Sequence, residues 1–239
     1  MRFIHRDTVG STQDEVRLLY EQGERGPLWV IAEAQTKGRG RRDRHWTSEK
    51  GNLYASGLYP TKASPANGAL YGFATAIAMA ETVEAYGVTS LVTLKWPNDV
   101  LVGGAKISGI LIEREAEALI VGTGLNLVNH PQETPYPATH LLAEMCPNDL
   151  EEAEPRFTGA ASVGALLASN ILKWFDRFEV DGFSPLKDAW LERAHHLGKT
   201  VSVNGLTGTF SGLAMDGALC LILPDGKEML VHAGDVSFG

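Results

Sequence analysis

The sequence predicts an α+β protein: a mixed sheet packed with helices, followed by a small C-terminal antiparallel β-barrel. Three observations carry that prediction. Strand-like apolar runs are interrupted by helical periodicity at irregular intervals, which disfavours a regular parallel βαβ array. The 239 residues, 44% of them hydrophobic, suffice for one sizeable core, or for one large and one small domain. From Leu197 onward the pattern changes: Asn204-Gly205, Asp216-Gly217 and Asp225-Gly226 punctuate short apolar runs at hairpin spacing. Two domains are therefore expected, residues 1–196 and 197–239, and no internal repeat or low-complexity segment interrupts them.

The elements follow in order. "FIHRDTV" reads as a strand. Thr12 and Glu15 have the spacing of a capping box and Gly23 offers a stop, so Gln13–Gln22 should be a short helix. "LWVIAEA" and "NLYASGLYP" read as strands on either side of an arginine-rich loop. Ser64 and Pro65 form an N-cap and first-turn pair, and Leu70, Phe73, Ile77, Ala80 and Val83 keep helical spacing up to Gly87. That helix is apolar almost all round and should be buried. "LVTLKWPNDVLVGGAKISGILIERE" predicts a strand, a break at Pro97 and a hairpin turning at Gly103 and Gly104; "ALIVGTGLNL" adds a buried strand. Beyond a proline-rich stretch, Val163, Leu166, Leu167, Ile171, Trp174, Phe175 and Phe178 mark a second amphipathic helix, and "SPLKDAWLERAHH" a third.

Charge and composition narrow the function. A net charge of −8 and a pI near 5.4 argue against wrapping a nucleic-acid backbone, which needs a strong positive field. Cys146 and Cys220 stand far apart, outside any C-x-x-C spacing, so neither a disulfide scaffold nor a zinc site is indicated; a reducing cytoplasm is expected. The N-terminus lacks a signal-peptide core, and "LYGFATAIAMA" is too short to span a bilayer.

Against this acidic background stands "GRGRRDRHW", Gly38 to Trp46. Gly38 and Gly40 let backbone approach a ligand, while Arg39, Arg41, Arg42 and Arg44 offer permanently charged, planar donors suited to phosphate or carboxylate oxygens. It is not a P-loop, since no Gly-Lys-Ser/Thr follows, nor a dinucleotide fingerprint, whose third glycine would be Asp43. A solvated arginine-rich loop is the plain alternative. Lys106 lies in a strand pattern that places Ser108, Ile110 and Ile112 on its own face and Ile107, Gly109 and Leu111 on the other. Buried there it needs a counter-charge; a lysine reaching past the strand end to water is the alternative. In "KWPND", Pro97 ends a strand and presents Asn98 and Asp99, either to a metal or nucleotide or merely as an Asx-turn.

Together, "GSTQDEVRLL", "AEAQTKGRGRRDRHW", "LKWPNDVLVGGAKISGILIE" and "VGTGLNL", with "LLAE" and the terminal "HAGDVSF", resemble the bacterial biotin protein ligases in order and spacing over nearly the whole chain. The resemblance implies a class II synthetase-like, biotin–lipoate ligase fold. It also implies two steps: biotin and ATP give biotinyl-5′-adenylate and pyrophosphate, and a lysine of the biotin carboxyl carrier protein then takes the biotinyl group. Mg²⁺ is implied with the phosphates, its protein ligands unspecified. Carried over residue by residue, Ser11, Thr12 and Gln13 correspond to biotin-ring positions, continued by Gln35, Arg39, Gly40, Arg41 and Gly109. Lys106 corresponds to the lysine at the biotin carboxylate and adenylate phosphate. Arg39, Arg41, Arg44, Asn98 and Asn126 correspond to nucleotide-side positions, and Trp46 to a tryptophan stacked on adenine. Lys106, Arg41 and Asp99 are the catalytic candidates, Asp99 towards the incoming lysine.

Two departures stand out: Asp43 where relatives have glycine, and Gln13 where asparagine is common. The loop 38–46 is expected to order on adenylate binding. Because the first strand begins almost at Met1, a ligase without a DNA-binding domain or repressor activity is expected, with no DNA or membrane partner and a homodimer left open. A lipoate-type ligase of the same superfamily, a non-catalytic biotin sensor and a phosphopeptide or nucleic-acid module are the rival readings.

Overall fold

The computed structural model describes residues 1–61, 65–145 and 159–238. Strands β1 (Arg2–Val9) and β2 (Leu28–Gln35) run parallel, because helix α1 (Thr12–Glu21) carries the chain back between them. All other neighbours are antiparallel. β3 (Leu53–Pro60), β4 (Val92–Lys95), β5 (Asp99–Val102), β6 (Ala105–Glu115) and β7 (Ala118–Leu125) complete a seven-stranded sheet of order β1-β2-β3-β7-β6-β5-β4. Two short helices, α2 (Pro65–Gly68) and α4 (Leu141–Glu144), lie outside it. The expected mixed sheet with packed helices is present.

Strand alternation divides the sheet into two faces. Trp29, Ile31, Leu119 and Val121 point towards α3 (Leu70–Glu84) and α5 (Ala160–Asp181), while Leu28, Val30, Ala118 and Ile120 pack with Val16 of α1. Helix α3 is buried along nearly its whole length, as its all-round apolar sequence predicts. Gly164 lets α5 approach: a Cβ there would lie 2.8 Å from Ile31 Cδ1. Edge-to-face contacts of Tyr71 and Tyr59 with Phe175 join the helices to the sheet, and Tyr59 Oη accepts a 2.8 Å hydrogen bond from the buried Trp29 Nε1. Gly182, at φ 74°, separates α5 from α6 (Phe183–Leu191), which is shorter than "SPLKDAWLERAHH" suggests. Cys146, Ser64 and the residues after Cys146 up to Thr158 lie outside the described set.

The hairpin β5–β6 turns at Gly103 and Gly104, as expected, but its register departs from simple alternation. Val100 pairs with Ser108 and Leu101 with Lys106, so Ile107 is an extra residue in a β-bulge. The period shifts by one. Lys106 therefore shares its side with Gly109 and Leu111, not with Ser108 and Ile110 as alternation predicts, while Ile107 and Ile110 both enter the core.

The C-terminal strands β8 (Thr200–Val203), β9 (Leu206–Leu213), β10 (Leu219–Ile222), β11 (Glu228–Val231) and β12 (Val236–Ser237) form an antiparallel sheet of order β11-β10-β9-β8-β12. Asn204 and Gly205, at φ 50° and 79°, make the β8–β9 turn as their sequence predicts. The sheet is open where a barrel was expected. β12 has only two residues and β11 and β12 lie at opposite ends of the order, so no ladder joins them among the described residues. Trp96 Nε1 donates to Gly217 O at 3.0 Å and Trp190 meets Phe210 edge-on, fixing this sheet to the larger one. Among the described residues no helix is long and apolar enough to cross a membrane.

Candidate active site

On the α1 face, β7 continues past Ile120 with Gly122 and Gly124, and the space left by the missing side chains becomes the floor of a cavity of about 320 Å³. These glycines are required. A Cβ on Gly122 would lie 2.7 Å from Gln13 Cδ, one on Gly124 2.5 Å from Trp46 Cε2, and one on Gly109 2.9 Å from Trp46 Cζ3. Every residue carried over from the family resemblance lines this one cavity.

One end is the N-terminus of α1. Ser11 is its N-cap without a side-chain cap, and no capping box forms at Thr12. Gln35 takes that role from β2: its Oε1 accepts from the Thr12 backbone N–H at 2.8 Å and from Thr12 Oγ1 at 3.2 Å, and its Nε2 donates to Ser48 Oγ at 3.0 Å. Thr12 Oγ1 also pairs with Ser56 Oγ at 2.7 Å, and Gln13 Nε2 donates to Leu111 O at 3.3 Å. A small, polar, buried chamber with donors and acceptors on facing walls results.

The arginine loop forms the next wall. Gly40 N–H to Arg44 O at 2.7 Å and Trp46 N–H to Gly38 O at 2.9 Å close it, and Arg42 takes the left-handed conformation, φ 55° and ψ 39°. Gly38 must lack a side chain, since a Cβ would lie 2.5 Å from both Ser48 Oγ and Trp46 O. The guanidiniums are partnered, not merely solvated. Arg39 makes a two-pronged contact with Asp14 at 2.6 and 2.8 Å, which holds the Asp14 carboxyl below the usual range. Arg41 Nη1 donates to Asn98 Oδ1 at 3.4 Å and Gly234 O at 3.3 Å; Arg44 Nη2 meets Asp235 at 3.0 Å. Burial pushes the Arg41 guanidinium down from its ordinary value, and the nearby Asp235 offsets this only in part.

Lys106 closes the third side. Its Nζ lies 2.6 Å from Asp99 Oδ1, the counter-charge that burial demands, and over the rings of Trp46 at 5.3 Å and Tyr136 at 5.2 Å. Its backbone pairs with Pro137 and Thr139, which brings the 131–138 strap over the cavity. Asn98 Nδ2 donates to Ile110 O at 2.7 Å and Asn126 Nδ2 to Thr139 O at 2.9 Å, so both amides tie neighbouring segments together. Trp46 Nε1 is buried with no hydrogen-bond partner among the described residues. The sequence reading missed Ser56, Ser48 and Tyr136, and it named the "HAGDVSF" segment without giving Asp235 a role.

The chain is 31% identical to the biotin–acetyl-CoA-carboxylase ligase of Paracoccus denitrificans, the match covering 91% of this chain and 92% of that one. It belongs to the biotin protein ligase family. The ligase of the same name from Mycobacterium tuberculosis is 32% identical over 87% of this chain and 77% of its own length. Residues 8–126 match the model of the biotin/lipoate A/B protein ligase family, and 196–239 that of the biotin protein ligase C-terminal domain. The biotin protein ligase of Aquifex aeolicus, solved in complex with biotin and ATP, superposes with a TM-score of 0.81 at 28% identity, covering 99% of this chain and 97% of that one. In this ligase the cavity thus combines a polar chamber, a cationic wall and an orphaned indole donor, a set suited to an uncharged polar ring joined to an anion.

Proposed function

We propose that this biotin protein ligase condenses biotin with ATP to biotinyl-5′-adenylate and pyrophosphate, then transfers the biotinyl group to a lysine of the biotin carboxyl carrier protein of acetyl-CoA carboxylase or a related carboxylase, releasing AMP. The observation that carries this is the meeting of Lys106, Arg39, Arg41 and Arg44 with the Thr12–Gln35–Ser56 chamber in one cavity. A carboxylate and a triphosphate repel, by roughly 4 kcal/mol per unit-charge pair at about 4 Å and an effective dielectric near 20. Fixed cations between them remove that barrier, most usefully as charge builds on the α-phosphate.

Ser11, Thr12, Gln13 and Gln35 hold the ureido ring, whose buried donors and acceptors need partners on both sides. Arg39, Gly40 and Gly109 continue the pocket, and Lys106 stands between the biotin carboxylate and the α-phosphate. The carboxylate oxygen attacks phosphorus, and pyrophosphate leaves with the bonding pair. Arg41, Arg44, Asn98 and Asn126 hold the phosphates and ribose, and the Trp46 indole covers the base. In the second step the carrier amine attacks the acyl carbon, and AMP leaves. Asp99, released from Lys106 as the phosphate takes its place, orients that amine and receives its proton.

The described residues include no cluster of three or more His, Cys, Asp or Glu side chains that could hold a metal. Mg²⁺ would arrive with the ATP phosphates and supply charge neutralisation there, with the Asp99 and Glu133 carboxylates the acids that line the cavity. A net charge of −8 favours this small-molecule and carrier-protein chemistry over binding of a nucleic-acid backbone, and we place it in the cytoplasm. We divide the chain into a catalytic part, residues 1–196, and a C-terminal part, residues 197–239, in keeping with the C-terminal family model that begins at residue 196. Biotin-dependent exchange of labelled pyrophosphate into ATP tests the reading, with lipoate as the competing acid; exchange with lipoate alone would move the protein to the lipoate branch.

A further inference from the structure

One carboxylate, in the segment that joins β11 to β12 of the C-terminal sheet, faces three guanidiniums of the arginine loop. Asp235 lies 3.0 Å from Arg44, 3.7 Å from Arg42 and 3.8 Å from Arg41, and the adjacent Gly234 carbonyl accepts from Arg41 at 3.3 Å. The segment carrying it is fixed from behind. Asn204 Nδ2, in the β8–β9 turn, donates to Ala233 O at 2.6 Å, and Gly234 packs so closely that a Cβ would lie 2.5 Å from Val203 Cγ2. Arg41 and Arg44 line the cavity but Asp235 does not, so the carboxylate grips them from outside without occupying the ligand space. A single negative charge among three positive ones leaves the loop cationic while reducing the mutual repulsion that would splay it.

From this geometry we infer that Asp235 is a positioning residue for the nucleotide half of the site: the C-terminal sheet reaches across to hold Arg41 and Arg44 in the places where ATP phosphates meet them. The inference rests on the ligase reading above. Arg39, gripped instead by Asp14 of α1, belongs to a separate anchor, and Asp14 thus provides the control.

The test compares wild type, Asp235→Asn, Asp235→Glu and Asp14→Asn in biotin-dependent pyrophosphate exchange, with biotin binding measured separately by calorimetry without ATP and folding checked by thermal melts. Asp235→Asn should raise the KM for ATP about tenfold, leave the biotin Kd within twofold and melt within a few degrees of wild type; Asp235→Glu should recover most of the loss. An unchanged KM for ATP in Asp235→Asn would overturn the inference, as would an equal rise in Asp14→Asn or a matching loss of biotin affinity, which indicate general loosening of the loop. Absence of exchange in the wild type would instead refute the underlying ligase reading.

Discussion

Replacing Lys106 by methionine keeps the length of the side chain and removes its charge. The Lys106–Asp99 pair spans 2.6 Å with side chains 14% and 18% exposed, so its gross attraction is about 6 kcal/mol at an effective dielectric of about 20. Desolvation offsets most of this, and water reaches both groups, so the expected loss of stability is only about 1–2 kcal/mol, or about 2–8 °C in Tm. Catalysis should suffer more. A fixed donor aimed at developing oxyanion charge contributes about 10²–10³ in rate, about 2.7–4 kcal/mol. Lys106→Met should therefore melt slightly below wild type yet lose two to three orders of magnitude in biotin-dependent pyrophosphate exchange. Lys106→Arg, which keeps the charge in a different shape, should fall between them. Exchange within threefold of wild type by folded Lys106→Met would refute the role given to this lysine.

Three further outcomes follow from the same geometry. Asp99→Ala should slow transfer from preformed adenylate to carrier by tenfold or more while slowing adenylate formation much less, as resolved by single-turnover measurement of each step; equal losses would remove the second-step role. Gly124→Ala places a Cβ where the Trp46 indole now lies, 2.5 Å from Cε2, so adenylate should dissociate about tenfold faster with little change in Tm, an off-rate that unchanged adenylate retention would contradict. The pKa of His195, at the junction with the C-terminal sheet, is pushed down to about 4 by burial and by the nearby His196, Lys95 and Lys199. The unfolded chain thus binds more protons than the folded one between about pH 4 and 6.5, so this contribution is complete above pH 6.5 and lost as pH falls towards 4. Melts of His195→Gln should show a shallower acid decline than wild type over that window; parallel declines would exclude it.

Much of this site was legible in the sequence because its parts are local. Gly38 to Trp46 is contiguous, and "KWPNDVLVGGAKISG" carries both members of the Lys106–Asp99 pair within one hairpin, so the counter-charge a buried Lys106 needs lay close in sequence, although a lysine reaching past the strand end to water was equally open there. What escaped depends on distance or register. Asp235 reaches Arg44 across 191 positions, and charge patterning does not reveal such a pairing. The bulge at Ile107 inserts one residue into a period of two, which reverses the expected faces of β6, and no glycine or proline at that position announces it. Gln35 displaced the predicted capping box because a side chain from the neighbouring strand reaches the Thr12 N–H. The open C-terminal sheet has the turns its Asn-Gly and Asp-Gly pairs predict, but closure depends on how the two ends of the sheet meet, and a two-residue β12 leaves too little strand for it.

The central claim is that one cavity brings an anionic acid and an anionic nucleotide together long enough to join them. Incubating the purified chain with biotin, ATP and Mg²⁺, without carrier protein, and analysing the quenched mixture by mass spectrometry tests this most directly. The account predicts enzyme-bound biotinyl-5′-adenylate at close to one equivalent per chain, with pyrophosphate released in the same amount. Unchanged biotin and ATP, recovered from folded protein that binds both, would contradict it.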